Sequence, residues 1–127
     1  MNGELICVDT NIILYTLAGR QDLADRVKGR TVMLSVITEI EALSFPGLDE
    51  KERKRISAYV ARCTVIGLGD RVKQETIRLR SQLKLKLPDA IIAATAMVLD
   101  ATLLTADDGF VRVADHLKLE LVSPGSK

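Results

Sequence analysis

The sequence predicts an α/β fold, a three-layer α/β/α sandwich around a mostly parallel sheet of about five strands. Short apolar segments alternate along the chain with amphipathic segments of helical length. The apolar segments are continuous runs rather than strict alternations of polar and apolar residues, which is typical of parallel strands buried on both faces. Because 127 residues is near the usual size of one domain, we expect residues 1–127 to form a single domain.

The first half of the chain contains three predicted strands and four predicted helices. Gly19 closes the first helix, Pro46 stops the third, and Asp49 and Glu52 have the spacing of a capping box at the start of the fourth. In order, we expect a strand at 4–9, a helix at 10–19, a short polar helix at 20–29, a strand at 31–35, helices at 36–45 and 48–63, and a strand at 64–68.

The second half continues the alternation with two long helices and two strands. Asp70 is a candidate cap for the first helix, and Pro88 suits the first turn of the second. We expect helices at 70–84 and 88–100, a strand at 101–105, a short helix from about Asp107, and a last strand at 119–122.

Composition and charge exclude several classes of protein. Hydrophobic residues make up 47% of the chain and aromatic residues 3%, so the core is mostly aliphatic. The net charge of +1 gives no electrostatic basis for strong nonspecific nucleic-acid binding, although it is compatible with a local basic groove. Without a signal peptide or a bilayer-length apolar run, we expect a cytoplasmic protein with no membrane partner.

The cysteines and the histidine predict neither a disulfide framework nor a zinc site. Cys7 and Cys63 lie in apolar segments, and we expect both to be reduced and buried. His116 is the only histidine. Because zinc sites need several nitrogen or sulfur ligands, we expect a surface or packing role for His116.

Four acidic residues fall at the same edge of the predicted sheet. Asp9 follows the first strand, Glu41 lies in the helix after the second, and Asp107 follows the fourth. The helix that begins near Asp89 runs back against the sheet direction, so its start lies at the carboxyl edge too. Open α/β sheets bind their ligands at this edge.

Carboxylates brought together in this way repel one another unless a cation lies between them. Hard cations such as Mg²⁺ and Mn²⁺ prefer oxygen ligands, usually a few carboxylates with waters and phosphate oxygens. Such a site suits the hydrolysis of phosphodiester bonds, because the metal activates water and stabilises the charge on the phosphate.

Each acid also has a purely structural interpretation. Asp9 and Thr10 could cap the following helix, Thr38 to Glu41 fits a capping box, and Asp89 would favour the dipole of its helix. Asp107 or Asp108 could cap the last helix. Glu39 and Glu41 are two residues apart and do not share a helix face, so we expect one of them to face the cluster, and the same choice exists between Asp107 and Asp108.

Four short segments, in order and spanning nearly the whole chain, form a recognisable set of motifs. They are VDTNI at 8–12, SVITEIEAL at 35–43, LKLPDAIIAATA at 85–96 and LLTADDGF at 103–110. Together they resemble the PIN-domain ribonucleases, and most closely the toxins of VapBC-type toxin–antitoxin pairs. The more specific pair is LPDAIIAATA followed by LLTADDGF.

The resemblance implies a PIN-like fold and an endoribonuclease that depends on Mg²⁺ or Mn²⁺. Its motifs place the metal-binding and catalytic acids at Asp9, Glu41, Asp89 and Asp107, with Ser35 and Thr38 present in the pattern that leads to Glu41. Ala42 stands where the family usually has leucine. Asn11 and Thr105 resemble residues that orient carboxylates or water, and Asp108 is either a further ligand or a bystander.

We expect a ribonuclease that acts as a toxin. The alternatives are a housekeeping RNA-processing enzyme and a catalytically silent module that only binds a partner. The basic residues Lys73, Arg78, Arg80, Lys84 and Lys86 either hold the RNA backbone or form a solvated helix face.

The partners expected besides RNA are a second copy of the chain and a small antitoxin. The toxin resemblance implies a homodimer, and an antitoxin segment that supplies Arg or Lys to the acidic cluster. Exposed apolar residues of the two helices around the Pro46 turn would provide an interaction surface; the candidates are Ile37, Ile40, Leu43, Phe45, Ile56, Tyr59 and Val60.

Overall fold

The computed structural model describes residues 4–125; residues 1–3 and 126–127, the ends of the predicted domain, lie outside that range. Its elements fall close to the predicted ones. They are β1 (Leu5–Val8), α1 (Thr10–Leu17), α2 (Gln21–Val27), β2 (Thr31–Ser35), α3 (Val36–Leu43), α4 (Glu50–Ala61), β3 (Thr64–Ile66), α5 (Asp70–Gln82), α6 (Leu87–Leu99), β4 (Thr102–Thr105), a 3-10 helix (Asp108–Val113) and β5 (Leu119–Leu121).

The five strands form one sheet in the order β3-β2-β1-β4-β5. Every neighbouring pair is parallel; Ile6 of β1, for example, lies opposite Val32 of β2 on one side and Thr102 of β4 on the other. The prediction of a parallel sheet of about five strands is confirmed.

Successive residues of β1 are buried on opposite faces of the sheet, as strand geometry requires. Ile6 and Val8 belong to a core that includes residues of α1, α2 and α4, whereas Cys7 belongs to a second core built mainly with α5, α6 and the 3-10 helix. The sheet is therefore covered on both sides, which confirms the three layers.

Most of the predicted helix boundaries follow from local chemistry. The side chain of Asp49 accepts a hydrogen bond from Glu52 N at 2.7 Å, and Glu52 Oε1 accepts one from Asp49 N at 3.0 Å, so the capping box is confirmed. Gly19 follows α1 with a φ of 110°, a conformation that favours glycine. The prediction that Asp70 caps α5 is wrong: Asp70 is the first helical residue, and Gly69 precedes it without a side-chain cap.

The burial of the cysteines and the histidine agrees with the predictions for Cys7 and His116 but not for Cys63. Cys7 is free and buried, and burial raises its pKa to about 12. Cys63, just beyond the end of α4, is free but only partly buried. The prediction that it is reduced therefore agrees with the structure, and the prediction that it is buried is wrong. His116 is exposed. Across residues 4–125, no helix has both the length and the apolar character needed to cross a membrane.

Candidate active site

The order of the strands places a crevice between the carboxyl ends of β1 and β4. The chain builds outward from β1 through β2 to β3 on one side and from β4 to β5 on the other. The gap between such diverging connections is where open α/β sheets bind ligands. Asp9 directly follows β1, and Thr105 is the last residue of β4.

A cavity of about 420 Å³ opens at this point, and the four predicted acids all line it. Glu41 and Asp89 lie in α3 and α6, whereas Asp9 and Asp107 lie just after β1 and β4, so the prediction that the four converge is confirmed. Their chemical roles are predictions. We call this the acidic cavity, and its lining consists of Asp9, Thr10, Asn11, Glu41, Ser44, Phe45, Pro46, Asp89, Ile92, Asp107 and Phe110.

Asp9 is the most buried of the four acids, with 6% of its surface exposed. Its Oδ1 accepts a hydrogen bond from Ile12 N at 3.3 Å, so Asp9 caps α1 as the structural interpretation required. Its Oδ2 accepts a hydrogen bond from the Thr105 hydroxyl. Burial nevertheless raises the pKa of Asp9 to about 6, because the two hydrogen bonds offset desolvation only in part, and the charges of Asp107 and Asp89 raise it further.

Thr105 connects Asp9 with the segment that carries Asp107. The Thr105 side chain is fully buried, and its oxygen accepts a hydrogen bond from Asp107 N at 3.0 Å. Asp107 Oδ1 accepts a hydrogen bond from Gly109 N at 2.8 Å and so caps the 3-10 helix. A side chain at Gly109 would place its Cβ 3.1 Å from that oxygen, so glycine allows the tight turn.

The Glu41 carboxylate is held by a residue of helix α1 rather than by a residue of its own helix, α3. Thr10 Oγ1 donates a hydrogen bond to Glu41 Oε1 at 2.8 Å. The α3 helix begins at Val36, and Ser35 caps it by accepting from Ile37 N at 3.1 Å. The capping-box interpretation of Thr38 and Glu41 is therefore wrong.

The Thr38 hydroxyl is buried and has no hydrogen-bond partner in the described residues. It lies one helical turn before Glu41 on α3, so the two residues share a helix face.

Asp89 is in the first turn of α6, where the predicted Pro88 also lies. Desolvation by burial raises the pKa of Asp89, and the charge of Asp107 and more weakly that of Glu41 raise it as well. Lys86 acts in the opposite direction. Asp89 therefore responds to the field of two other acids of the cavity, even though helix α6 alone would favour its charge.

The lining of the acidic cavity decides between the alternative acids that the sequence left open. Glu41 lines the acidic cavity and Glu39 does not; Asp107 lines it and Asp108 does not. Asn11 is an exposed residue of its lining. Asp108 is exposed and borders a neighbouring cavity with Leu121 and Pro124. Sequence analysis missed the role of Thr10 in holding Glu41; its hydroxyl next to Asp9 was the available signal, but only the tertiary contact identifies its partner.

The four acids of the acidic cavity are not paired with cations in the part of the chain that the structure describes. Within residues 4–125, none of them forms an ion pair with a lysine, an arginine or a histidine. The same residues contain no group of three or more His, Cys, Asp or Glu side chains arranged to hold a metal ion by themselves. The arrangement is an open, all-oxygen site rather than a closed metal cage.

The fold and the site together define an α/β/α protein with a carboxylate-lined cavity at the switch point of its parallel sheet. The chain belongs to the PIN-domain family, a family of nucleases, whose family model matches residues 6–116. A comparison with curated protein sequences finds no match.

Solved structures share this fold over nearly their whole length. A toxin–antitoxin complex from Klebsiella pneumoniae contains a chain with 25% identity and a TM-score of 0.78, covering 96% of this chain and 99% of that one. VapBC-1 from nontypeable Haemophilus influenzae gives 25% identity and a TM-score of 0.75, with 92% and 97% covered. VapBC2 from Rickettsia felis, bound to a DNA fragment from its promoter, gives 22% identity and a TM-score of 0.80, with 92% and 98% covered.

Proposed function

We propose that this protein is an endoribonuclease that depends on Mg²⁺ or Mn²⁺ and acts as the toxin of a type II toxin–antitoxin pair. The observation that carries the proposal is the acidic cavity: four carboxylates from four segments of the chain line one opening, and none of them forms an ion pair within residues 4–125. A divalent cation would relieve the repulsion among these carboxylates.

The donors present fit a hard divalent ion. Asp9, Glu41, Asp89 and Asp107 offer only oxygen atoms, which Mg²⁺ and Mn²⁺ prefer. Mg²⁺ usually keeps several waters and takes few protein ligands, with substrate phosphates completing its shell. An open site without three preformed protein ligands therefore fits Mg²⁺ better than a metal that needs a complete protein cage. When bound, the ion would activate water and neutralise charge on the phosphate.

The chain's own residues prepare the site for that ion. Thr105 and Ile12 N hold both oxygens of Asp9, so that its orientation is fixed by β4 and α1. Thr10, the residue after Asp9, donates a hydrogen bond to Glu41 and so orients its carboxylate. The two hydrogen bonds to Asp9 favour its charged form, which is the form that binds metal. The exposed amide of Asn11 is available to orient water or substrate at the rim.

The direct test is cleavage of single-stranded RNA by the purified chain with Mg²⁺, with Mn²⁺ and with EDTA. We expect cleavage with either ion, none with EDTA, and none from Asp107→Asn. Asp108→Asn is the matched control, because the same substitution is made one residue further along, outside the acidic cavity. Equal activity in the wild type and Asp107→Asn would mean that the cleavage comes from a contaminant or another site, and the proposal would fail.

The toxin assignment is supported by the likeness to chains found in toxin–antitoxin complexes. We propose that a small antitoxin, encoded next to this chain, supplies an Arg or Lys to the acidic cavity. That cation would compete with the metal for the carboxylates. Co-expression should give a complex with little RNase activity that recovers when the antitoxin is removed. An active RNase without any such partner would favour the RNA-processing alternative.

We also propose a homodimer. Among the apolar residues predicted to form an interaction surface, Ile40 and Phe45 are exposed, at 56% and 42%, whereas Ile56, Tyr59 and Val60 are buried in the core. An interface would therefore involve α3 and the turn after it rather than the apolar face of α4. Light scattering at tens of micromolar should give twice the chain mass, and Phe45→Ser should reduce it; a wild-type monomer contradicts the dimer.

A further inference from the structure

The loop that joins α5 to α6 carries a basic cavity beside the acidic one. Arg80, Lys84 and Lys86 line an opening of about 490 Å³ with Leu83 and Leu85. Arg112 of the 3-10 helix joins them, because its guanidinium donates a hydrogen bond to the backbone oxygen of Lys84. We call these four residues the basic loop.

The cations of the basic loop lack carboxylate partners. Within residues 4–125, none of the four forms an ion pair, and Arg80 and Arg112 instead donate to backbone oxygens of Leu85 and Lys84. Two cations earlier on α5 differ: Lys73 pairs with Asp70 at 3.6 Å, and Arg78 pairs with Glu75. The basic residues that were predicted as one group therefore divide into paired cations on α5 and unpaired cations of the basic loop.

The basic loop is next to the acidic cavity. Lys86 is the N-cap residue of α6 and lies three residues before Asp89, so that one helical turn separates the two side chains along the helix. Arg112 follows Phe110, which lines the acidic cavity, by two residues in the same 3-10 helix. A chain of phosphates that enters the acidic cavity near Asp89 would therefore continue past Lys84, Lys86 and Arg112.

We infer that the basic loop is a subsite for RNA backbone phosphates that flank the phosphate bound at the acidic cavity. The inference rests on the proposed ribonuclease function and names the part of the surface that holds its substrate. Phosphate is favoured over a carboxylate-rich protein segment because the proposed substrate of the neighbouring acidic cavity is itself a chain of phosphates, so that one RNA strand would occupy both places. Lysine and arginine on phosphate position a strand without reading its bases.

The test measures binding of a short single-stranded RNA to the full chain in EDTA, where cleavage is absent, at a series of salt concentrations. Lys84→Gln/Lys86→Gln removes two unpaired charges from the loop, and Lys73→Gln/Arg78→Gln removes two paired charges from α5. Each lost phosphate contact lowers the slope of log affinity against log salt by about 0.7 for single strands. We expect a slope lower by about 1.4 in the loop pair, and a slope near that of the wild type in the control pair.

Equal slopes in the two double variants would overturn the subsite, because the effect would then follow net charge alone. Loop-dependent binding of an oligoglutamate peptide in place of RNA would also overturn it and assign the loop to an acidic protein partner. Loss of RNA binding in the loop pair alone supports the subsite even if the wild type never cleaves RNA with Mg²⁺. In that case the nuclease proposal fails and the RNA-binding surface remains.

Discussion

The Thr105 hydroxyl donates a hydrogen bond to Asp9 Oδ2, and this contact joins the carboxyl ends of β4 and β1 across the switch point of the sheet. The same oxygen accepts from Asp107 N, so its single proton is directed at Asp9. One buried hydroxyl thereby fixes the orientation of one acid and the backbone position of another.

Replacing Thr105 by valine should therefore affect stability and activity together. Thr105→Val leaves the buried Asp9 Oδ2 without its hydrogen-bond donor, which costs about 1–3 kcal/mol for an unsatisfied buried group, and it also removes the acceptor of the part-buried Asp107 N–H. Loss of an orienting partner typically lowers metal affinity or activity by about 10-fold to 100-fold. Urea unfolding and RNA cleavage measure the two effects. Thr105→Ser keeps the hydroxyl and should keep most of both; a serine variant as impaired as the valine variant would mean that the hydroxyl's hydrogen bonds do not account for the effect.

The pH dependence of stability without divalent ions should carry the signature of Asp9. Its folded pKa of about 6 lies above its ordinary value of 3.8, so the folded state binds the proton more tightly than the unfolded chain. Its contribution is fully present below pH 4 and is lost as the pH rises through 6. A rise of this size corresponds to about 3 kcal/mol. Asp9→Asn should flatten that decline in urea unfolding between pH 4 and 7, and an unchanged decline would assign it to other groups.

Divalent ions should raise the melting temperature, because they bind only the folded arrangement of the four acids. Mg²⁺ or Mn²⁺ in the millimolar range should give a concentration-dependent shift, and Asp9→Asn should reduce it. Asp108→Asn serves as the control, since it removes one charge outside the acidic cavity. Equal shifts in both variants would indicate nonspecific ionic stabilisation. Calorimetry without any detectable binding, even with RNA present, would remove the basis for the metal site.

Substitution of Asp89 distinguishes a role in stabilising α6 from a role in metal binding and RNA cleavage. If its main role is to favour the dipole of α6, Asp89→Asn should cost a few tenths to about 1 kcal/mol. Because burial and the charge of Asp107 raise its pKa, we expect instead that the metal-free variant is as stable as the wild type or more so. Its RNA cleavage should fall sharply. A destabilised Asp89→Asn that cleaves RNA normally would decide for the structural role.

Thr10 should act through Glu41. Its hydroxyl is only part-buried and makes one side-chain contact, at 2.8 Å, so Thr10→Val should cost little stability. Cleavage should fall by about 10-fold or more, as for other residues that orient metal ligands. The informative comparison is between the activity of Glu41→Gln and that of the double variant Glu41→Gln/Thr10→Val. If Thr10 works through Glu41, adding Thr10→Val to Glu41→Gln should change activity little further, whereas independent effects would multiply.

The sequence by itself determined the elements and the edge at which the acids lie. Continuous apolar runs such as 31–35 predict buried parallel strands, and a parallel strand carries the residue after it to the carboxyl edge. Asp9 and Asp107 were placed at this edge because they follow strands. Asp89 was placed there because its helix runs back against the direction of the sheet and so begins at the carboxyl edge. The capping box of Asp49 and Glu52 was equally accessible, because it depends only on neighbours in the chain.

Only the tertiary structure decided which side chains meet. The partner of Glu41 is 31 residues away and that of Asp9 is 96 residues away, and the spacing of residues within a helix contains no information about either contact. The choice of Glu41 over Glu39 and the division of the basic residues into paired and unpaired groups also depend on packing. Strand order brings β1 beside β4, and that long-range arrangement places four acids, each explicable on its own, around one cavity.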